Sequence, residues 1–295
     1  MRTIFMYELV HSLQSFRFLT LLIFSIGLFA LGAVRFIEQY REDRIVYEER
    51  TPVPYPQRST VFTSIYREPS PMAIMAEGGD RGRPFGYRVR PAGILEPIQA
   101  SQRNYRFPLI PEMDWAMIVQ IIFGLYTLFL CYNAVSGERE LGTLGLMLSN
   151  STSRSEVMIA KYGAILLTLL IPLLTGMAVS LLVAGFGQAE MYTSENVIRS
   201  LLFLGVSVGY LSLFTLLALT VSSLVRQSSM AIMLLLFLWV VFGIIPAISD
   251  IIADTTVSVM SDYEFTRRQD TVMNDILATK TQDISRKVQG GLIKT

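Results

Sequence analysis

Apolar runs of membrane-spanning length alternate with polar stretches along this chain. Five runs carry no charge: 18–34, 115–137, 162–189, 200–225 and 227–249. Crossing roughly 30 Å of hydrocarbon takes about 20 apolar residues, so each run predicts a transmembrane helix. The first reaches 17–37 if Arg35 snorkels and Phe36 and Ile37 join the apolar stretch. With flanking residues the others occupy 114–136, 158–188, 198–225 and 227–249. Arg226 alone parts the last two, which predicts a tight helical hairpin. Pro172 predicts a kink in the third span, and Pro246 predicts the end of the fifth.

The polar stretches differ in character. In residues 1–16, Phe5, Leu9, Leu13 and Phe16 recur at helical spacing, with Glu8, His11, Ser12 and Ser15 mostly opposite. That spacing predicts an amphipathic elbow helix in the membrane interface, not a signal peptide. A plain extension of the first span is the alternative. Segment 38–113 holds ten of the twelve prolines, with turn chemistry at Gly78-Gly79-Asp80 and Arg81-Gly82-Arg83-Pro84. Strand-forming residues at 59–66 point to a small loop-rich α+β domain, either a solvated cap or a surface for a ligand or partner. Segment 250–295 is polar again, and Val272, Ile276 and Ile284 predict an exposed amphipathic helix leading to a sixth span. The fold class is thus an all-α polytopic membrane protein, with five spans visible and six expected.

Charge sets the orientation. Arg2 and Arg17 precede the first span, Arg139, Arg154 and Lys161 follow the second, and Arg226 follows the fourth. The loop after the third span carries Glu190 and Glu195 against Arg199 alone. The excess of short-loop Lys and Arg puts the N-terminus and residues 138–161 in the cytoplasm. Segment 38–113 then lies outside, where a long arginine-bearing domain is exempt from the rule. A multi-pass protein of the cell (cytoplasmic or inner) membrane is expected.

Composition narrows the chemistry. Hydrophobic residues make up 52% of the chain and charged ones 17%, at a mean hydropathy of +0.45. Soluble domains sit nearer a quarter charged. The net charge of +1 offers no case for nucleic acid. A single cysteine, Cys131, and a single histidine, His11, supply neither an internal disulfide nor a zinc site. The chain lacks a phosphate-binding Gly-x-x-x-x-Gly-Lys-Ser/Thr loop, a His-Glu-x-x-His motif and a Gly-x-Ser-x-Gly elbow. Spans almost free of ionisable groups argue against an ion-coupled carrier, although backbone carbonyls can hold sodium. No catalytic site, metal or cofactor is expected in this chain, so energy must come from a partner.

The densest charge between two spans lies in the loop 137–157. Glu138 and Glu140 suit the positive end of a helix dipole, and Ser136 is available as its cap. Leu141, Leu144, Leu146, Met147 and Leu148 offer an apolar face. Ser149-Asn150-Ser151-Thr152 breaks it, and Ser153-x-x-Glu156 is a capping box opening the next helix. The prediction is a short helix roughly parallel to the membrane and joined to two spans. The bland alternative is a solvated loop whose charges only enforce topology.

Longer quotations carry a resemblance. Asp114-Trp115-Ala116, Tyr132-Asn133-Ala134-Val135-Ser136-Gly137-Glu138-Arg139-Glu140-Leu141-Gly142-Thr143-Leu144, Leu148-Ser149-Asn150 and Ser153-Arg154 to Lys161 resemble the membrane subunits of the ABC-2 type exporter family. Pro69-Ser70-Pro71-Met72 and Glu77-Gly78-Gly79-Asp80 look like the outside-domain pattern of its gliding-motility and copper-maturation-like branch. Asn133, Ser151 and Ala160 depart from the family's usual Asp, Pro and Gly, so a carboxylate is missing at 133.

The resemblance implies a six-span permease subunit, itself not an enzyme, paired with a second copy or a paralogue in the bilayer. Its loop 137–157 would be a coupling helix seated in a separate ABC ATPase subunit that holds ATP and Mg. By that resemblance Glu138, Arg139 and Glu140 make polar contacts to the ATPase, and Leu141 and Leu144 anchor the helix. Gly142 permits close approach, Thr143 completes the motif, and Arg154 and Glu156 fix the return helix. A non-transporting alternative would use the same coupling to move the outside domain against an envelope or periplasmic partner. The cargo stays open among lipid, peptide, drug and sulfur species.

Overall fold

The computed structural model describes residues 2–50, 63–76, 86–89, 95–98, 113–143, 145, 153–187 and 192–247. In the tail it describes 267, 271–272, 274–276 and 278–280. The chain divides into two compact units, Met1–Ala247 and Ile248–Thr295.

The first unit opens with helix α1 (Arg2–Leu13) and, after a two-residue turn, α2 (Phe16–Arg50). Ser15 makes that turn: its Oγ donates to the Ser12 carbonyl at 2.6 Å and accepts from the Phe18 N–H at 3.2 Å. Helix α2 outlasts its apolar stretch by more than a dozen residues, into what the sequence suggested was a loop-rich domain. No Gly or Pro interrupts 33–51, and Arg44 pairs with Glu48 one turn on at 3.0 Å.

Helix α3 runs through Trp115–Met117, a π-helical stretch Ile118–Phe123, and Gly124–Cys131. A four-residue turn leads into α4 (Ser136–Glu140). Helix α5 (Arg154–Gly187) runs unbroken through Pro172, followed by α6 (Ser194–Leu224). Helix α7 comprises Ser228–Trp239, a second π stretch Val240–Ile244 and a closing turn Ile245–Ala247 that contains Pro246. The expected hairpin is present, with only Val225, Arg226 and Gln227 between α6 and α7.

Among the described residues, four helical runs are long and apolar enough to cross a membrane: Phe16–Glu49, Trp115–Glu140, Arg154–Phe186 and Ser194–Leu224. Ser228–Ile244 is a shorter apolar helix at the place of the fifth expected span. The described chain is mostly helical, and its architecture is that of a multi-pass membrane protein.

Packing follows the logic of a bundle in lipid. Large apolar side chains such as Ile23, Phe24, Leu202, Val206, Leu213, Met233 and Phe237 point outward, whereas Ser25, Thr127, Thr168, Ser180, Thr215 and Ser222 are fully buried. In hydrocarbon a hydroxyl must find an internal acceptor. Thr127, Thr168 and Thr215 each donate to the carbonyl four residues back at 2.7 Å. Ser25 crosses from α2 to the Pro172 carbonyl of α5 at 2.8 Å, and Trp115 Nε1–H reaches Ser180 Oγ at 2.8 Å. Phe29 lies fully buried, edge-on to Trp115 at 6.1 Å and to Phe123 at 6.5 Å.

The two π stretches answer one another. Gln120 Nε2 of α3 donates to the Gly243 carbonyl of α7 at 3.0 Å. Trp239 Nε1 of α7 donates to the Ile121 carbonyl of α3 at 3.1 Å. A π turn loosens the regular ladder and leaves carbonyls to be satisfied from outside the helix.

Part of segment 38–113 is built into the bundle. Ser70 Oγ accepts from the Met72 N–H at 3.3 Å, capping a 3₁₀ turn (Pro71–Ile74) that buries Met72 and Ile74. The neighbouring Met75 carbonyl accepts from Ala116 N–H at 3.0 Å, while Asp114 Oδ1 caps α3 through Met117 N–H at 2.7 Å. Strands β1 (Thr63–Tyr66), β2 (Gly86–Val89) and β3 (Leu95–Ile98) form an antiparallel sheet in the order β1-β2-β3. Tyr66 faces Gly86, and Gly86 faces Ile98. The strand expected at 59–66 is thus found at its C-terminal half. Gly78, Gly79, Asp80 and Arg81 to Pro84 lie outside the described residues.

In the second unit, residues 271–272, 274–276 and 278–280 are helical, with Val272 and Ile276 exposed. Ile284 lies outside the described residues.

Candidate coupling site

The charged run Glu138-Arg139-Glu140 closes α4, the short helix beyond the four-residue turn that follows the second span. Backbone N–H groups of Gly137, Arg139 and Leu141 donate to the carbonyls of Asn133, Val135 and Gly137 at 3.0–3.1 Å. With the span before it, α4 makes one apolar helical run, Trp115–Glu140. Gly142 ends it at φ +74°, a conformation glycine adopts without steric cost. Among the described residues nothing approaches within 4 Å of a Cβ placed there. Thr143 Oγ1 donates back to the Glu138 carbonyl at 3.2 Å. Leu144, Leu146, Met147 and Leu148 lie outside the described residues.

The cap is not the expected one. Ser136 Oγ donates to the Tyr132 carbonyl at 2.6 Å, behind the helix start. The N–H groups of Val135 and Ser136 are met instead by Ser222 Oγ of α6, at 3.2 and 3.3 Å. Ser222 Oγ itself donates to the Tyr132 carbonyl at 3.1 Å. A side chain 86 residues away does the work that the local pattern assigned to Ser136.

All three charged side chains turn back onto the bundle. Lys161 Nζ of α5 donates to Glu138 Oε1 at 2.6 Å and to Glu8 Oε1 of α1 at 2.6 Å. Arg139 reaches the C-terminal end of α6, donating from Nη2 to the Ser223 carbonyl at 2.8 Å and from Nη1 to Val225 at 3.2 Å. Those carbonyls lie where a helix runs out of internal donors, and a cation suits the negative dipole end. Glu140 takes the opposite role at the start of α7, accepting from Ser228 N–H at 2.8 Å and Ser228 Oγ at 2.9 Å. Three consecutive side chains thereby tie α4 to α5, α6 and α7.

The lysine of this cluster is buried and its two glutamates are partly exposed. The Lys161 side chain is 3% exposed and each glutamate 21%. Glu138 Oε2 is buried without a hydrogen-bond partner among the described residues. Glu8 lies on the same half-buried side of α1 as Phe5, Leu9 and Ser12, not on the solvent side that helical spacing suggested. Sequence reasoning missed Glu8, Lys161, Ser222 and Ser228 as members of this site. Lys161 did leave a signal, because it falls on the stripe of Val157, Ala160, Ala164 and Ile165 that packs inward.

Beside the inward-turned charges stands an outward surface. Leu141 is 80% exposed, and Gly142, Thr143 and Arg154 are exposed too. Ser153 Oγ accepts from Glu156 N–H at 3.3 Å, giving the expected cap at the start of α5.

Four membrane-length helices among the described residues, with hydroxyls turned inward, define a polytopic membrane protein. The model of the ABC-2 family transporter protein matches residues 13–286, and the chain belongs to that family. It is the permease subunit of an ABC transporter, a family whose membrane component works with an ATPase partner. No curated protein matches the chain.

Proposed function

We propose that this permease subunit turns the closure of a separate ABC ATPase, which holds ATP and Mg, into movement of its helix bundle, and so exports cargo across the cell membrane. The observation that carries the reading is the junction at 138–141. Its charges grip three other helices while Leu141 beside them is left 80% exposed. A large exposed leucine next to a braced helix end suits a groove in a soluble partner, and the bracing passes a push into the bundle.

In this reading the N-terminus and residues 137–157 are cytoplasmic, α1 is the interfacial elbow, and segment 38–113 lies outside. Leu141, Gly142, Thr143 and Arg154 face the ATPase, and the resemblance makes Leu144 the second apolar anchor. Glu138, Arg139, Glu140 and Glu156 hold the segment in place. A second copy or a paralogue completes the permease. The gliding-motility and copper-maturation-like branch rests on Pro69-Ser70-Pro71-Met72 and Glu77-Gly78-Gly79-Asp80.

Leu141→Arg tests the reading in the permease co-expressed with its ATPase. The substitution puts a charge where an apolar anchor is required, and ATPase recovered with the permease falls about tenfold, equal to about 1.4 kcal/mol of binding. Membrane insertion is unchanged, because Leu141 is 80% exposed and lies beyond the span. Full ATPase recovery with Leu141→Arg would overturn the assignment.

A further inference from the structure

We propose that Lys161 is a positioning residue that joins the coupling segment to α1, with Glu8 as its second partner, so that α1 and α5 follow α4 together. The inference rests on the ATPase-driven reading above.

Three elements meet at one ammonium group: α1 through Glu8, α4 through Glu138 and α5 through Lys161. Charge balance does not account for Glu8. Lys161 and Glu138 alone form a neutral pair, and a second carboxylate beside a buried lysine adds an uncompensated charge. Glu8 therefore serves attachment. Helix α1 has no fully buried residue. Its apolar hold on α5 includes the half-buried Phe5, whose ring lies 3.2 Å from a Cβ placed on Gly163. Met6, Tyr7 and Val10 face away from the bundle. The bond to Lys161 is the most enclosed link between α1 and the rest of the chain. Lys161 also has donors enough for both partners at once, each at 2.6 Å.

The test uses the permease in complex with its ATPase, in a Cys131→Ser background. Spin labels go on cysteines at Tyr7→Cys of α1 and Ile159→Cys of α5, both exposed positions. Dipolar broadening is measured without nucleotide and after trapping with Mg-ATP and vanadate. With Glu8 present the α1–α5 label separation stays the same in both states. With Glu8→Ala it shifts on trapping by about 2 Å or more, the scale of helix movements at interfaces. Glu8→Gln keeps an acceptor for Lys161 and restores the unchanged separation. Glu8→Ala leaves the neutral Lys161–Glu138 pair intact, so the bundle inserts and folds. An unchanged separation in Glu8→Ala, or a shift in Glu8→Gln equal to that of Glu8→Ala, overturns the joint while leaving the ATPase reading standing. Absence of any ATPase in the parent complex overturns both.

Discussion

Lys161→Met lowers the stability of the bundle by about 3–5 kcal/mol, because it leaves two largely enclosed carboxylates without their cation. The lysine side chain is 3% exposed, so water cannot replace the missing cation without opening the contact among α1, α4 and α5. The same principle sets the control. Glu8→Gln, Glu138→Gln and Lys161→Met combined remove all three charges and recover most of the loss, since a neutral cluster has no uncompensated ion to desolvate. Thermal unfolding of the detergent-solubilised protein, followed by fluorescence-detected size exclusion, reads both effects. A single Lys161→Met variant as stable as the parent would show that the cluster is hydrated and energetically idle.

Gly176→Val separates α2 from α5. A Cβ at Gly176 lies 2.5 Å from Phe29 Cδ2 and 2.7 Å from Ser25 Oγ. Neither can retreat easily: Phe29 is fully buried against Trp115 and Phe123, and Ser25 is bound to the Pro172 carbonyl. Overpacking a fitted core costs about 1–3 kcal/mol, and here it falls where small residues allow close helix approach. Gly205→Ala and Gly209→Ala in α6 provide the contrast, because a Cβ there meets nothing within 4 Å. Folded yield and melting temperature should fall for Gly176→Val and hold for the α6 variants. Equal behaviour of the three would remove the close α2–α5 contact from the account.

The spans were legible because lipid imposes a length and a composition that few other environments demand. The α6–α7 hairpin was legible for the same reason, since one arginine between two apolar runs leaves little room for any other connection. What the sequence hid was long-range polar pairing. Ser136 satisfied every local rule for a cap, yet Ser222 fills that role from α6. Glu8 sat opposite Leu9 and Leu13 in the periodicity, but a buried lysine on α5 turns that side of α1 inward. Likewise the resemblance assigned Arg139 and Glu140 polar contacts to an ATPase, whereas the end of α6 offers Arg139 two carbonyls and the start of α7 offers Glu140 an N–H. The run α2 makes to Arg50 was hidden differently, because its apolar signal ends long before its helix does. Charge density and resemblance singled out the segment 137–157, whereas the direction of the side chains at 138–140 depended on neighbours 23 to 88 residues away in the chain.

The paired π stretches of α3 and α7 carry a consequence for how this bundle can change shape. Each holds one residue more than a regular helix of the same rise, so rewinding either would turn the rest of that helix by about 100°. Gln120 and Trp239 donate across the gap in opposite directions, so rewinding one helix strips the other of a partner as well. The two helices are thus indexed to each other, and a step taken by one alone would cost both hydrogen bonds.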